Sequence, residues 1–113
     1  MTESEFLARA EATLDAIEAA LEQAADAGGL DLECSRSGNV LEIELVDYGS
    51  KIIINSQAPM QEIWVASKSG GFHYRHDGAR WLDTRDGSEL MAALAQTIHA
   101  QSGVALTLAG AAG

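Results

Sequence analysis

Five carboxylates, Glu11, Asp15, Glu18, Glu22 and Asp26, follow one another at intervals of four, three, four and four residues. On a helix turning 100° per residue they fall within about 80° of one another and form one lengthwise row. Asp31, Glu33, Glu42 and Glu44 then alternate with apolar residues, as acids on the non-core side of two strands do. If the helix edge abuts the first of these strands, the two sets merge into one acidic ridge. Carboxylate oxygens suit hard cations such as Ca²⁺, Mg²⁺, Mn²⁺, Fe²⁺ and Fe³⁺. A dense negative surface also steers in a basic protein partner. Exposed carboxylates without His or Cys should hold metal weakly and with little selectivity, and no calcium-loop pattern is present. The row strains its helix: like charges at these spacings cost about 0.2–0.5 kcal/mol per pair. Glu22 and Asp26 sit near the negative end of the helix dipole, and no lysine or arginine relieves the row. Asp15→Lys is therefore expected to raise the melting temperature modestly.

A second group surrounds one turn and the strand after it: Asn55, Gln57, Pro59 and Trp64. If Ile63 and Val65 point to the core, alternation sends Trp64 to the open face of a sheet, where a tryptophan beside amides suits a protein contact. The opposite phase buries Trp64 and exposes Ile63, and the pattern does not choose between them. His73, His76 and His99 are not spaced as metal ligands. Cys34 is the sole cysteine and has no His near it in sequence, which excludes an internal disulfide and a thiolate cage. No G-x-S-x-G, phosphate loop or dinucleotide fingerprint occurs, so an enzyme of ordinary type is not supported.

The elements that must carry these groups are legible in the patterning. Thr2 and Glu5, spaced as a capping box with Ser4 as a competing cap, open a helix over 3–26. Phe6, Ala10, Leu14, Ile17, Leu21 and Ala24 form its core stripe, and Gly28-Gly29 ends it. Alternating runs predict short strands around 30–35, 41–45, 51–55, 62–67, 72–75 and 80–83, with turns at 36–39, at Ser69-Gly70-Gly71 and at Asp77-Gly78. Asp86-Gly87-Ser88 opens a second helix, about 88–101, with Leu90, Met91, Leu94, Ala95 and Ile98 inward. The order predicts an α+β fold: a two-layer α-β sandwich, with N- and C-terminal helices on one face of an antiparallel sheet of five to six strands. All 113 residues fit a single domain, 1–113, with a core over about 3–103 and an apolar tail over 104–113.

The charge is segregated. Residues 1–47 hold twelve acids and two bases, whereas 48–113 hold five of each, so the whole net charge of -10 lies in the first part. That excludes nucleic-acid binding by phosphate neutralisation and disfavours anionic membranes. It also favours a monomer. No apolar run approaches the roughly 20 residues of a membrane span. The amino-terminal residues do not read as a signal peptide, and a cytoplasmic setting is expected.

The run Asn55-x-Gln57-x-Pro59, Ile63-Trp64-Val65-Ala66, Gly70-Gly71-Phe72-His73-Tyr74, Trp81 and Arg85-x-Gly87 resembles the frataxin family, and its bacterial branch most. Ser4-Glu5-Phe6 and Gly49–Asn55 extend the likeness, which covers about residues 3–103. The resemblance implies the sandwich already sketched and weak iron binding along an acidic ridge. It also implies a role in iron–sulfur cluster assembly, with a cysteine desulfurase and an iron–sulfur scaffold protein as partners and the desulfurase regulated or iron supplied. Glu11, Glu18, Glu22, Asp31 and Glu33 match the family's ridge; Asp15 and Asp26 join it by helix geometry. Glu18 and Glu22, with Asn55, Gln57 and Trp64 on the sheet face, become the expected partner contacts. Metal bridging two ridges would make oligomers. This chain departs from the family in having Leu7, Ala19 and Gln23, Ser56 where a basic residue is usual, and Glu62 where glutamine is usual. A separate reading is a stand-alone iron carrier or store with weak ferroxidase activity, although no Glu-x-x-His motif of the di-iron kind is present.

Overall fold

Thr2 and Glu5 close the expected capping box: Thr2 Oγ1 accepts from Glu5 N at 3.1 Å and Glu5 Oε1 accepts from Thr2 N at 3.2 Å. The helix so opened, α1, runs Glu3–Gly28 and ends on Gly29, whose left-handed φ of 71° glycine adopts without strain. At 1.5 Å per residue α1 is about 39 Å long, and the molecule's longest dimension is 40 Å. Its buried stripe is Phe6, Ala10, Leu14, Ile17, Leu21 and Ala25, with Thr13 beside it. The last member is Ala25, with Ala24 half-buried, because a heptad-like stripe drifts about 20° per seven residues on a straight helix.

The computed structural model describes residues 1–106 and 108. Six strands follow α1: β1 Leu32–Ser37, β2 Val40–Leu45, β3 Ser50–Gln57, β4 Glu62–Ser67, β5 Gly70–His76 and β6 Trp81–Asp83. They pair antiparallel in chain order, β1 and β6 at the edges. The second helix, α2, is Leu90–Ser102. Leu41, Ile43, Leu45, Ile52, Ile54, Ile63, Val65 and Tyr74 face the helices and are buried. Trp81 Nε1 donates to Thr13 Oγ1 at 3.0 Å, which ties β6 to α1 and satisfies both buried polar groups.

Several boundaries differ from the sequence expectation. α1 continues to Gly28, and β1 lies two residues further along at Leu32–Ser37, so Arg36 and Ser37 belong to the strand and the β1–β2 turn is Gly38-Asn39. Three further boundaries differ for a reason of turn chemistry. The β4–β5 loop is Lys68-Ser69, so Gly70 and Gly71 belong to β5. Asp77-Gly78 lies in a four-residue loop, where Asp77 Oδ1 accepts from Ala79 N and Arg80 N. Asp86 and Asp83 likewise spend their carboxylates on a loop, and Glu89 caps α2 by accepting from Met91 N and Ala92 N. The packed unit also passes residue 103. Leu106 is buried in the core and Leu108 packs against it. The expectation for residue 107 and 109–113 of the tail lies outside the described residues.

Candidate functional site

The row on α1 forms as its spacing requires. Glu11, Asp15, Glu22 and Asp26 are exposed and Glu18 is half-buried. β1 runs alongside: Leu32, Cys34 and Arg36 turn toward the helix layer, while Asp31 and Glu33 are exposed on alternate positions. The helix acids and the strand acids therefore meet across an edge strand, and the ridge wraps that edge. Burial, then the Glu22 and Glu18 carboxylates, push the Cys34 thiol up to about 12. At neutral pH it is a protonated neighbour of the ridge and offers no thiolate to a metal.

One sequence expectation is overturned here. The row is not wholly unrelieved, because Arg36 of β1 donates to Asp15 Oδ1 at 2.6 Å. The pair spans 21 positions, so helical spacing could not reveal it. Among the described residues no cation stands within ion-pair distance of Glu11, Glu18, Glu22 or Asp26. On the strands Glu33 and Glu44 are register partners, a like-charge pair directly across the ladder. Lys51 relieves the inner acids: its ammonium lies 2.9 Å from Glu42, which holds it above the ordinary lysine value, with Glu44 adding to the effect. No three His, Cys, Asp or Glu side chains among the described residues gather tightly enough to enclose a metal ion. The ridge is a string of open oxygen donors.

The sheet-face residues do come together. Ile63 and Val65 are buried, so Trp64 takes the open face, half-buried. Asn55 is its register partner on β3, and Gln57, whose amide donates to Asn55 Oδ1, stands beside Asn55. Ser56 points the other way and is buried, so its departure from the family pattern lies off this face. Sequence reasoning missed three members. On β5, His73 is opposite Trp64 and Arg75 opposite Glu62. The Trp64 and His73 rings stack at 4.4 Å between centroids and 7° between planes. The Glu62 carboxylate, 5% exposed, accepts from Trp64 Nε1 at 2.9 Å and Arg75 Nε at 3.0 Å. His73 Nδ1 lies 3.4 Å from the same group. The i, i+2 spacing of Glu62 with Trp64 and of His73 with Arg75 was the available signal.

A family model described as a frataxin-like domain matches residues 1–104. The chain is 65% identical over 108 residues to the iron-sulfur cluster assembly protein CyaY of Janthinobacterium sp. (strain Marseille), covering 96% of each. It is 64% identical over 108 residues, again 96% of each, to the protein of the same name from Herminiimonas arsenicoxydans. Among solved structures, frataxin from Psychromonas ingrahamii superposes with a TM-score of 0.81 at 29% identity, over 97% of this chain and 100% of that one. Trimeric frataxin from the yeast Saccharomyces cerevisiae, in its ferrous complex, gives 0.71 at 26% identity over 84% and 86%.

Proposed function

The chain belongs to the frataxin family, and from that premise we propose that it is an iron-binding accessory protein of iron–sulfur cluster assembly, regulating a cysteine desulfurase through its acidic ridge. The single observation that carries this reading is the string of carboxylates Glu11, Glu18, Glu22 and Asp26 with no cation within ion-pair distance among the described residues, continued across the sheet edge by Asp31 and Glu33. A surface so charged attracts a basic patch on a partner, and the approach is guided over about 8–10 Å at ordinary ionic strength. Asn55, Gln57 and Trp64 add a short-range contact, to the desulfurase or to the iron–sulfur scaffold protein. Iron is cargo or signal, held by hard oxygen donors in open positions; binding is weak, and Mg²⁺, Mn²⁺ and Ca²⁺ compete. The chain performs no bond chemistry of its own, acts in the cytoplasm as a monomer, and oligomerises only where metal bridges two ridges. Nucleic acid and membrane are not its partners.

The donor set argues against the alternative of a stand-alone iron store with ferroxidase activity. Paired-metal oxidation needs a converging cluster, whereas these carboxylates are strung along a helix. The yeast relative was crystallised with ferrous ion, which is compatible with either reading, so the test must separate them. Desulfurase turnover is measured in a reconstituted assembly mixture while wild type and Glu18→Lys/Glu22→Lys are titrated in, with and without Fe²⁺. A rate change with wild type and none with the variant is the expected result. No change with either protein would overturn the proposal. Oxygen uptake with Fe²⁺ above the protein-free rate would favour the store.

A further inference from the structure

Among the described residues Glu62 is the acid of the open sheet face that is withdrawn from water, at 5% exposure, and the register explains how. Gln57, Glu62 and Arg75 stand side by side on β3, β4 and β5; Asn55, Trp64 and His73 form the next row. Glu62 thus has Arg75 beside it, Trp64 two residues on along its own strand, and His73 on the diagonal. Its side chain is 6% exposed, although those of Arg75 and His73 are 62% and 47% exposed. The neighbours themselves cover it. A buried carboxylate is costly unless its oxygens are satisfied. Here Oε1 takes the Trp64 indole N–H and faces His73, and Oε2 takes Arg75. A half-buried tryptophan on an open sheet face would otherwise sample several rotamers, and a partner would have to freeze it on binding.

We infer that Glu62 is a positioning residue for docking of the desulfurase: its carboxylate pins the Trp64 indole N–H and holds the Trp64–His73 stack flat as a preformed platform, rimmed by Arg75. The inference rests on the function proposed above and adds the group that fixes the geometry of its sheet-face contact. Glu62 itself does not touch the partner. It acts by removing the freedom of the ring that does.

The chain carries two tryptophans, which supplies an internal control, since Trp81 donates its own N–H to Thr13 inside the core. Indole ¹H–¹⁵N resonances and desulfurase affinity are recorded for wild type, Glu62→Ala and Glu62→Gln. Glu62→Ala should move the Trp64 indole proton upfield, speed its exchange with solvent, leave the Trp81 resonance in place and weaken binding about tenfold, equivalent to about 1.4 kcal/mol. Glu62→Gln keeps an amide oxygen for the indole and should recover most of that affinity. An unmoved Trp64 resonance in Glu62→Ala overturns the inference. So does a Trp81 shift as large as that of Trp64, because Glu62 would then support the whole sheet. Wild-type affinity alongside a displaced Trp64 signal overturns it equally. If wild type itself fails to bind the desulfurase, the function proposed above falls, and the two indole signals still decide whether Glu62 holds the ring.

Discussion

The ridge of α1 and β1 and the platform of β3–β5 both rely on carboxylates, yet they treat them in opposite ways. Along the ridge many acids stand exposed, and among the described residues only Asp15 of them has a cation in ion-pair reach, Arg36 at 2.6 Å. On the platform a single acid is buried under two donors, Trp64 and Arg75, with His73 Nδ1 at 3.4 Å. An exposed like-charge row acts at long range and has little geometric preference, so it is suited to drawing a partner in. A satisfied buried carboxylate has little long-range field, but it fixes the orientation of a ring through a directed hydrogen bond. On the function proposed above, the ridge would serve encounter and the platform registration.

The largest expected effect breaks the two apart kinetically. Glu18→Lys/Glu22→Lys should lower desulfurase affinity by about a hundredfold, mostly by slowing association, and the wild type should approach the variant as salt rises and the Debye length shrinks toward about 3 Å at 1 M. Trp64→Ala should weaken binding mostly by hastening dissociation, with little salt dependence. Surface plasmon resonance at several ionic strengths separates the rate constants. If both variants act on dissociation alone, the division of roles is wrong.

Stability offers the next contrast. Glu62→Ala strands the indole N–H of a half-buried tryptophan and unpairs Arg75, and should destabilise the fold by about 1–3 kcal/mol. Much of the arginine is solvated, which keeps the loss below that of a fully buried ion pair. Glu22→Ala removes repulsion and should be neutral or stabilising by a few tenths of a kcal/mol. Urea unfolding of the two variants decides it; equal losses would mean that the ridge acids are structural.

Why one region was legible in the sequence and the other only in part follows from how each is encoded. The row on α1 is local: spacing along one helix sets it, and the core stripe fixed its face. The alternation of Leu41, Ile43 and Leu45 likewise fixed the inward face of β2, whereas the unbroken run Ile52-Ile53-Ile54 left the face of β3 open until the structure placed Ile52 and Ile54 inward and Ile53 outward. The platform depends on register between strands, which a loop decides. A turn over Ser69–Gly71 sets His76 opposite Trp64, whereas the actual Lys68-Ser69 loop sets His73 there. A small slip of the loop therefore rearranges the whole quartet. The Arg36–Asp15 pair was hidden for the same reason, as it depends on how β1 lies against α1. Glu62 stood out in the sequence as a departure from a family pattern, and its role emerges only when Arg75 and His73 are beside it.

Cys34 reports on the ridge from its inner side. Its thiol is raised by burial and by Glu22 and Glu18 to about 12, and Tyr74, raised mainly by burial, also reaches about 12. The unfolded chain releases these protons first. As pH climbs through the window from the ordinary thiol value near 9 toward 12, the unfolded state binds fewer protons than the native one, so stability falls. Below that window the contribution is intact. Cys34→Ala should flatten the decline in urea midpoint between pH 8 and 10. Glu18→Lys/Glu22→Lys should lower the thiol's value and increase its reaction rate with Ellman's reagent at pH 8 several-fold. An unchanged rate would place the ridge charges too far from β1 to be felt there.

The smallest effect is the sharpest test of how the ridge is held. If all its acids were equivalent, lysine at any of them would relieve repulsion. Asp15 is not equivalent: Asp15→Lys removes the partner of Arg36 and sets a second cation beside it, so the melting temperature should fall slightly. Asp26 has no such partner among the described residues and lies near the C-terminal end of α1, where a cation is favoured by about 0.3–1 kcal/mol. Asp26→Lys should raise the melting temperature by a few degrees. The opposite signs are the prediction, and scanning calorimetry at low salt resolves them. A rise in both variants would mean that the Arg36–Asp15 pair contributes nothing and that the ridge is uniform along its length.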